Sequence, residues 1–510
     1  MKRLLLALML FASPLRAATI WLAPAASGDS SGTDSLNAHT VGWANANCTS
    51  GTWFRMKSGT YNASINPTSS PGSQVRFTGF TQSPSAAHVN DIAISKDNIT
   101  ARWIGSSALS GFNQSTNDSL VKIAASAVSQ FLISSHGSIA DSLTLSGTIT
   151  GTGQNHFISF SGSRSGEVLD TVVCHCVVVR GGWDYGSLNN RLTNSTVNLT
   201  VNTTSGQGDT HCILISAANA NVIYGNTFNF TVTACHGFFF GLEMYEAYNT
   251  QVQGNAWNFT LNGDIGGSHG IWSMRDSSSW NRYWQNTVNV SGSGVPTGIS
   301  IMWTNGGSWS DGRRQNYCGY NVVKNACAPT ASGAFWMYDG GKVDTLEYNV
   351  IAAKPGPCFY AQNTPDSLVV QNNTLYGVGL QCIGMKGNNP TNSHLRRNIV
   401  VARPGKYQTY RLSTDGACIY VDQAAAFGCD SNYYAPSILA RVGSDPYWPE
   451  YTLSGWRLET GNDLNSAAAA FSGDMFLDAR WGTLNLRPAR TASASPFYIS
   501  PSRWYGAYQP

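Results

Sequence analysis

Gly225-Asn226-Thr227-Phe228-Asn229-Phe230 decides how this chain folds, because it returns. Asn194-Ser195-Thr196-Val197-Asn198-Leu199 precedes it, and Gly254-Asn255-Ala256-Trp257-Asn258-Phe259 and Gln285-Asn286-Thr287-Val288-Asn289-Val290 follow. Shorter versions stand at Asn349-Val350-Ile351, Asn373-Thr374-Leu375 and Asn398-Ile399-Val400, in steps of 24 and 25 residues. A fixed period of this size marks a solenoid. The unit is too short for a helix pair and its apolar residues alternate as in strands. Each repeat is therefore one coil of an all-β parallel β-helix, with about 24–31 residues per coil. Equivalent residues of successive coils then lie about 4.8 Å apart. An asparagine in register can pass amide hydrogen bonds from coil to coil, as stacked Asn ladders do.

Composition agrees. Charged residues make up 12% of the 510, whereas glycine alone numbers 52; a helical protein would need more Glu, Lys and Ala on its exposed faces. A net charge of +3 without a basic run argues against nucleic acid as partner and does not repel a polyanion. Lys2-Arg3, the apolar stretch Leu4 to Ala12, Pro14 and Ala17-Ala18 read as a secretion signal, so an extracellular or periplasmic protein is expected. That stretch is too short to span a bilayer, and no later segment is long and apolar enough. The expected organisation is a signal peptide at 1–18, a β-helix over 19–435 and an end or capping segment at 436–510. Eleven cysteines in an exported chain permit disulfides. Cys318 with Cys327, and Cys418 with Cys429, are close enough in sequence to close loops; Cys358 and Cys382 fall one coil apart and are expected to stack rather than bridge.

Ala18-Thr19-Ile20-Trp21-Leu22 followed by Trp53-Phe54-Arg55-Met56 and Gly59-Thr60-Tyr61 resembles the entry of secreted right-handed parallel β-helix proteins of the pectate-lyase-like superfamily. Leu453-Ser454-Gly455-Trp456, Thr460-Gly461-Asn462-Asp463-Leu464-Asn465-Ser466 and Phe476-Leu477-Asp478 are similar to the terminal segment of bacterial members. The resemblance implies a right-handed solenoid. It leaves the chemistry open, because the fold hosts lyases, hydrolases, epimerases, tailspikes and adhesins.

A second motif aligns the central coils: His211-Cys212-Ile213, His236-Gly237-Phe238, His269-Gly270-Ile271, Thr297-Gly298-Ile299 and Ser332-Gly333-Ala334, with His156-Phe157-Ile158 ahead of them. Alternation assigns Ile213, Phe238, Ile271, Ile299 and Ala334 to the interior. The opposite face receives Leu214, Phe239, Trp272, Ser300 and Phe335, with Met274, Met302 and Met337 beyond. Extending the alignment puts Glu243, Asp276, Thr304 and Asp339 in one row, and Leu242, Arg275, Trp303 and Tyr338 in the row before. Glu243 and Asp276 would lie about 5 Å apart, and Asp276 and Asp339 about 10 Å. The first spacing suits a retaining pair of glycosidase carboxylates and the second approaches an inverting pair. His236 and His269 flank the acids, and imidazole moves protons near neutral pH. Trp272, Trp303 and Tyr338 offer faces for a sugar ring, with Trp336 expected in the core, and Lys386 adds a cation for the substrate.

No Gly-x-Ser-x-Gly elbow, His-Glu-x-x-His zinc motif or phosphate-binding Gly loop is present, and no Cys spacing suits zinc. No cofactor is called for and no metal ligands are assigned; Asp209 and Asp264, in Gly-rich loops, are turn residues or Ca2+ ligands. The expected function is a secreted enzyme cleaving a polysaccharide in a groove near residues 236–340, lyase-like on a uronate-containing glycan. In that reading Arg275 or a histidine takes the C5 proton. The alternatives are a glycoside hydrolase using Glu243, Asp276 and Asp339, and a non-catalytic carbohydrate-binding or adhesive protein. A monomer and a trimer both remain open.

Overall fold

A computed structural model describes residues 18–149, 155–161, 187–203, 210–235, 239–262, 272–275, 278–291, 302–305, 315–326, 334–338, 344–354, 357–362, 367–379, 381–386, 393–404, 417–421, 427–435, 438–442, 450–469, 476–478, 485–488, 498–500 and 503–504. The expected signal residues before 18 lie outside them. The chain divides into two compact units, residues 1–146 and 147–510.

In the first unit the strands Thr19–Leu22, Trp53–Met56, Val75–Gly79, Ile99–Thr116, Ser119–Val128 and Ile139–Asp141 pair in parallel, each with the next. Phe54, Phe77, Ala101, Leu120 and Ala140 share one register position and are all fully buried. A short helix, Val41–Ala46, fills one connection; Thr40 caps it by accepting the Trp43 N–H at 3.2 Å.

The second unit carries the repeat that the sequence announces. Val197, Phe228, Trp257, Val288, Val323, Ile351, Leu375 and Val400 form a buried column through eight successive parallel strands. Trp257 stacks on Phe228 with ring centroids 4.2 Å apart. Full burial of one such side chain is worth about 1.5–3 kcal/mol.

Ahead of this column runs the asparagine ladder: Asn226, Asn255, Asn286, Asn321, Asn349, Asn373, Asn398 and Asn432, all buried. From Asn226 to Asn398 each backbone N–H donates to the next side-chain Oδ1 at 2.9–3.1 Å, and the Asn432 N–H donates to Ser466 Oγ at 2.7 Å. Each Nδ2 donates to a backbone carbonyl of the preceding coil, such as Asn286 to Val252 at 2.8 Å. Successive bonds join residues 29, 31, 35, 28, 24, 25 and 34 positions apart. The coils thus match the expected length at their short end and exceed it where loops are long. The residue before each ladder asparagine has positive φ, from Gly225 at 66° to Ser431 at 56°. Glycine adopts this conformation without cost, whereas Tyr320, Tyr348 and Arg397 adopt it under strain that the ladder hydrogen bonds offset. The outer asparagines Asn198, Asn229, Asn258 and Asn289 form a second, half-buried amide ladder at 2.9–3.0 Å.

The first unit repeats the turn with one change. Asn117 has φ 58°, and Asp118 follows it where the ladder would place an asparagine. Asp118 Oδ1 accepts the Ile99 N–H at 2.7 Å, but Oδ2 is buried without a partner. Burial pushes this carboxyl up to about 7, with the nearby Ser115 hydroxyl and the Ile99 N–H opposing the shift and the Asp97 charge adding to it. An unfolded aspartate titrates near 3.9. Between the two values the folded chain holds a proton that the unfolded chain has lost. Asp118 therefore favours folding below about pH 4, and that contribution drains away as pH rises through about 7. Asp118→Asn, which supplies the missing donor, is expected to flatten this slope and to raise stability at pH 8 by roughly 1–3 kcal/mol. Urea unfolding at pH 5 and pH 8 checks it; an unchanged pH dependence would count against the assignment.

Eight cysteines are described, all buried and none in a disulfide. Cys418 and Cys429, close enough in sequence to close a loop, do not bridge; they sit on different strands of the stack, Ala417–Val421 and Phe427–Asp430. Cys358 and Cys382 occupy neighbouring coils, with the Cys358 N–H on the Cys382 carbonyl at 2.8 Å, and stack without bonding as expected. Cys327, the other expected partner, lies outside the described residues. Burial pushes the Cys48 thiol up to about 11 and raises Cys212, Cys358, Cys418 and Cys429 well above the usual range. A thiol reagent at pH 8 is therefore expected to modify no more than three of the eleven cysteines before denaturation and all of them after it.

The end segment is not another plain coil. Helix Leu453–Thr460 is capped by Thr452, whose Oγ1 accepts the Gly455 N–H, and by Gly461 at φ 67°. Asp463 closes the ladder: its buried carboxylate accepts from Asn432 Nδ2 at 3.1 Å, Tyr434 Oη at 3.0 Å and Trp456 Nε1 at 2.9 Å. Phe476 and Leu486, on a short antiparallel pair, pack with Val350, Tyr376, Ile399 and Tyr433.

Candidate functional site

The strands Thr210–Asn219, Phe239–Tyr248, Trp272–Arg275, Met302–Asn305, Phe335–Tyr338, Phe359–Gln362 and Gln381–Lys386 stack in parallel and in register. Ile213, Leu242, Phe335, Phe359 and Ile383 share one buried row, and Ile215, Met244, Met337, Ala361 and Met385 share another. The positions between them form two further rows. One reads Leu214, Glu243, Ser273, Trp303, Trp336, Tyr360, Gly384. The other reads Ser216, Tyr245, Arg275, Asn305, Tyr338, Gln362, Lys386. Leu214, Ser216, Tyr245 and Trp336 are only half-buried, which identifies the solvent side of the sheet.

This register corrects the alignment drawn from sequence. Ile213 pairs with Leu242 rather than Phe238, because the apolar run Phe238-Phe239-Phe240 satisfies the same pattern four residues early. Phe335 and Met337 are interior, and Trp336, expected in the core, is half-buried on the outer side. Glu243 stands opposite Ser273, not at the register of Asp276. Trp272 takes the register of Leu242 and Phe335, the row whose described members are buried. The histidine column extends only from His156 to His211, and the next position holds Phe240. His236, His269, Asp276 and Asp339 lie outside the described residues, as do Asp209 and Asp264. Among the described residues no group of three His, Cys, Asp or Glu could hold a metal ion.

Arg275, Tyr338 and Lys386 fall into one row, and Trp303 into the adjoining one. Sequence reading missed Tyr245, Asn305, Gln362 and Tyr360 in these rows. Their signal was the alternation of Leu242 and Met244, which leaves Glu243 and Tyr245 on the opposite side of the strand.

Glu243 has a partner. The His211 Nε2 and Glu243 Oε2 atoms approach to 2.5 Å, with the two side chains 5% and 4% exposed. The His211 ring lies parallel to Phe240, with centroids 5.0 Å and planes 5° apart. The carboxylate is therefore set against an imidazole from the preceding coil.

No family model and no curated protein matches the sequence. Solved structures do. A mannuronic acid specific polysaccharide family 6 lyase from human gut microbiota is similar at a TM-score of 0.40 and 10% identity, over 89% of this chain and 91% of that one. A family 6 alginate lyase in complex with a trisaccharide also has a TM-score of 0.40 and 10% identity, over 91% and 98%. The catalytic domain of a GH87 α-1,3-glucanase with tetrasaccharides has a TM-score of 0.27 and 11% identity, over 91% and 70%.

The row from Tyr245 to Lys386 contains two cations, two phenols and two amides and no carboxylate. Neighbouring members are separated by about 4.8 Å, the strand spacing. A row of this composition suits an extended chain that carries negative charge and hydroxyl groups.

Proposed function

We propose that this protein is a secreted enzyme that cleaves a uronate-containing polysaccharide by β-elimination, with the substrate lying across the row Tyr245, Arg275, Asn305, Tyr338, Gln362, Lys386. The observation that supports it is the register itself, which collects Arg275, Tyr338 and Lys386 on one line. Elimination removes the C5 proton, forms a C4=C5 double bond and breaks the C4–O4 bond, and the departing oxygen takes a proton. The negative charge that builds on the uronate carboxylate needs a fixed positive partner. Arg275 fills that role with a planar fork matched to a carboxylate. Tyr245, about 4.8 Å away along the stack, transfers the proton. Tyr338 and Lys386, on further coils, bind flanking sugars.

Of the two carboxylate pairs that hydrolysis could use, Glu243 and Asp276 are not at one register, and Asp276 and Asp339 lie outside the described residues. Incubation with galacturonate and mannuronate polymers tests the reading. Ultraviolet absorbance from the new conjugated double bond is expected. New reducing ends without that absorbance would mean hydrolysis, and binding without either product would mean an adhesive protein. In the hydrolytic case Asp276→Asn would stop turnover; in the lyase case it leaves the double-bond yield in place.

A further inference from the structure

The first unit carries a cleft of its own. About 590 Å³ in volume, it is lined by Trp53, Gln74, Arg76, Thr78, Thr100, Arg102 and Trp103 among others, with no Asp or Glu in its wall. It follows from register. Trp53, Arg76, Thr100 and Ser119 form one row of the stack, and Arg55, Thr78, Arg102 and Val121 form the row beside it. The row between them, Phe54, Phe77, Ala101 and Leu120, is wholly buried, so these two flank it on the solvent side.

Among the described residues, none of Arg55, Arg76, Arg102 and Lys122 is paired with a carboxylate. The nearest acid in these rows is Asp141, one coil beyond Val121. Aromatic rings hold Arg55, Arg102 and Lys122 instead. The Arg102 guanidinium lies 3.8 Å from the Trp103 ring centroid, with Lys122 at 5.6 Å from the same ring, and Arg55 lies 4.4 Å from Trp53. Stacking on a ring orients a guanidinium without neutralising it, so its edge stays available for bidentate bonding. Arg102 Nε and Trp53 Nε1 are buried donors with no acceptor among the described residues. Gln74 is fixed by its bond to Thr100 Oγ1 at 2.6 Å, which leaves its carbonyl oxygen for hydroxyl groups.

We propose that this cleft is a second carbohydrate site, which binds an acidic oligosaccharide through its carboxylates without cleaving it. Arg76 and Arg102, on adjacent rows and successive coils, take carboxylates of neighbouring sugars, and Trp53 supplies a ring face. The choice of a uronate rests on the reading given above for the second unit, whereas the cleft and its unpaired cations do not.

The test measures binding and cleavage separately on the full chain. Titration calorimetry with galacturonate and mannuronate oligomers is expected to show affinity reduced at least about tenfold in R76A/R102A, the loss expected for a charge-assisted bond. Double-bond formation on short oligomers should be unchanged, and only KM on long polymer should rise. Arg76 is exposed, so Arg76→Ala alone keeps the test open if the double variant fails to fold. Equal affinity in native and variant protein would overturn the proposal, as would equal binding of a single-stranded oligonucleotide of matched charge. Binding that depends on Arg76 in a protein that cleaves nothing would sink the lyase reading alone. Cleavage with no contribution from Arg76 or Arg102 would sink the cleft alone.

Discussion

Arg275→Ala is expected to lower the rate of double-bond formation by about 10²–10³, the cost of removing one fixed donor from a developing oxyanion. The loss should fall mainly on kcat. The carboxylate carries its charge before and after reaction, but the extra electron density of the transition state is what the guanidinium uniquely serves. Arg275→Lys keeps the charge and loses the fork, and should recover only part of the rate. Initial rates on the polymer that responds, with a thermal melt to confirm folding, check this. A variant turning over at the native rate would remove Arg275 from the reaction and leave the row as a binding strip.

The second large effect is on stability. In Asn286→Ala the Asn255 N–H and Nδ2, which both donate to Asn286 Oδ1 at 3.0 Å, lose that acceptor, and the Val252 carbonyl loses its donor. Asn255 Nδ2 keeps the Ile223 carbonyl, so two groups are left unpaired in a place that water does not reach. Each costs about 1–3 kcal/mol, giving a loss of roughly 2–6 kcal/mol. Asn286→Asp is instructive beside it, because it keeps the acceptor, removes the donor and buries a charge. Urea unfolding followed by circular dichroism would show both. A change below about 0.5 kcal/mol in Asn286→Ala would mean that the ladder is ornamental.

The fold could be read in the sequence because its determinant is repeated. Asn226, Asn255, Asn286 and Asn321 occupy identical turns, so each coil confirms the others. The outer ladder Asn198 to Asn289 was legible for the same reason. The candidate site was legible only in part, because it lies on strands separated by loops of unequal length. There the pattern Ile213-Leu214-Ile215 fits Phe238-Phe239-Phe240 as well as Leu242-Glu243-Met244. Hydrophobic alternation fixes a face but not a register: the slip of four residues from Leu242 to Phe238 preserves the face, and the offset it carries into the next coil puts Asp276, three residues beyond Ser273, opposite Glu243. Arg275 and Tyr338 survived because both were displaced by the same amount. The contact between His211 and Glu243 had no sequence signal, since nothing in either segment marks them as neighbours.

Asp463 gives the asparagine ladder a definite last member. Every earlier coil offers the next one an amide that both donates and accepts, a surface that would welcome another copy of itself without limit. A carboxylate occupied by Asn432, Tyr434 and Trp456 has no N–H left to hand onward. A further copy of the repeat placed beyond this point would meet a filled acceptor instead of a waiting amide, so the run of interchangeable layers has a chemically marked end.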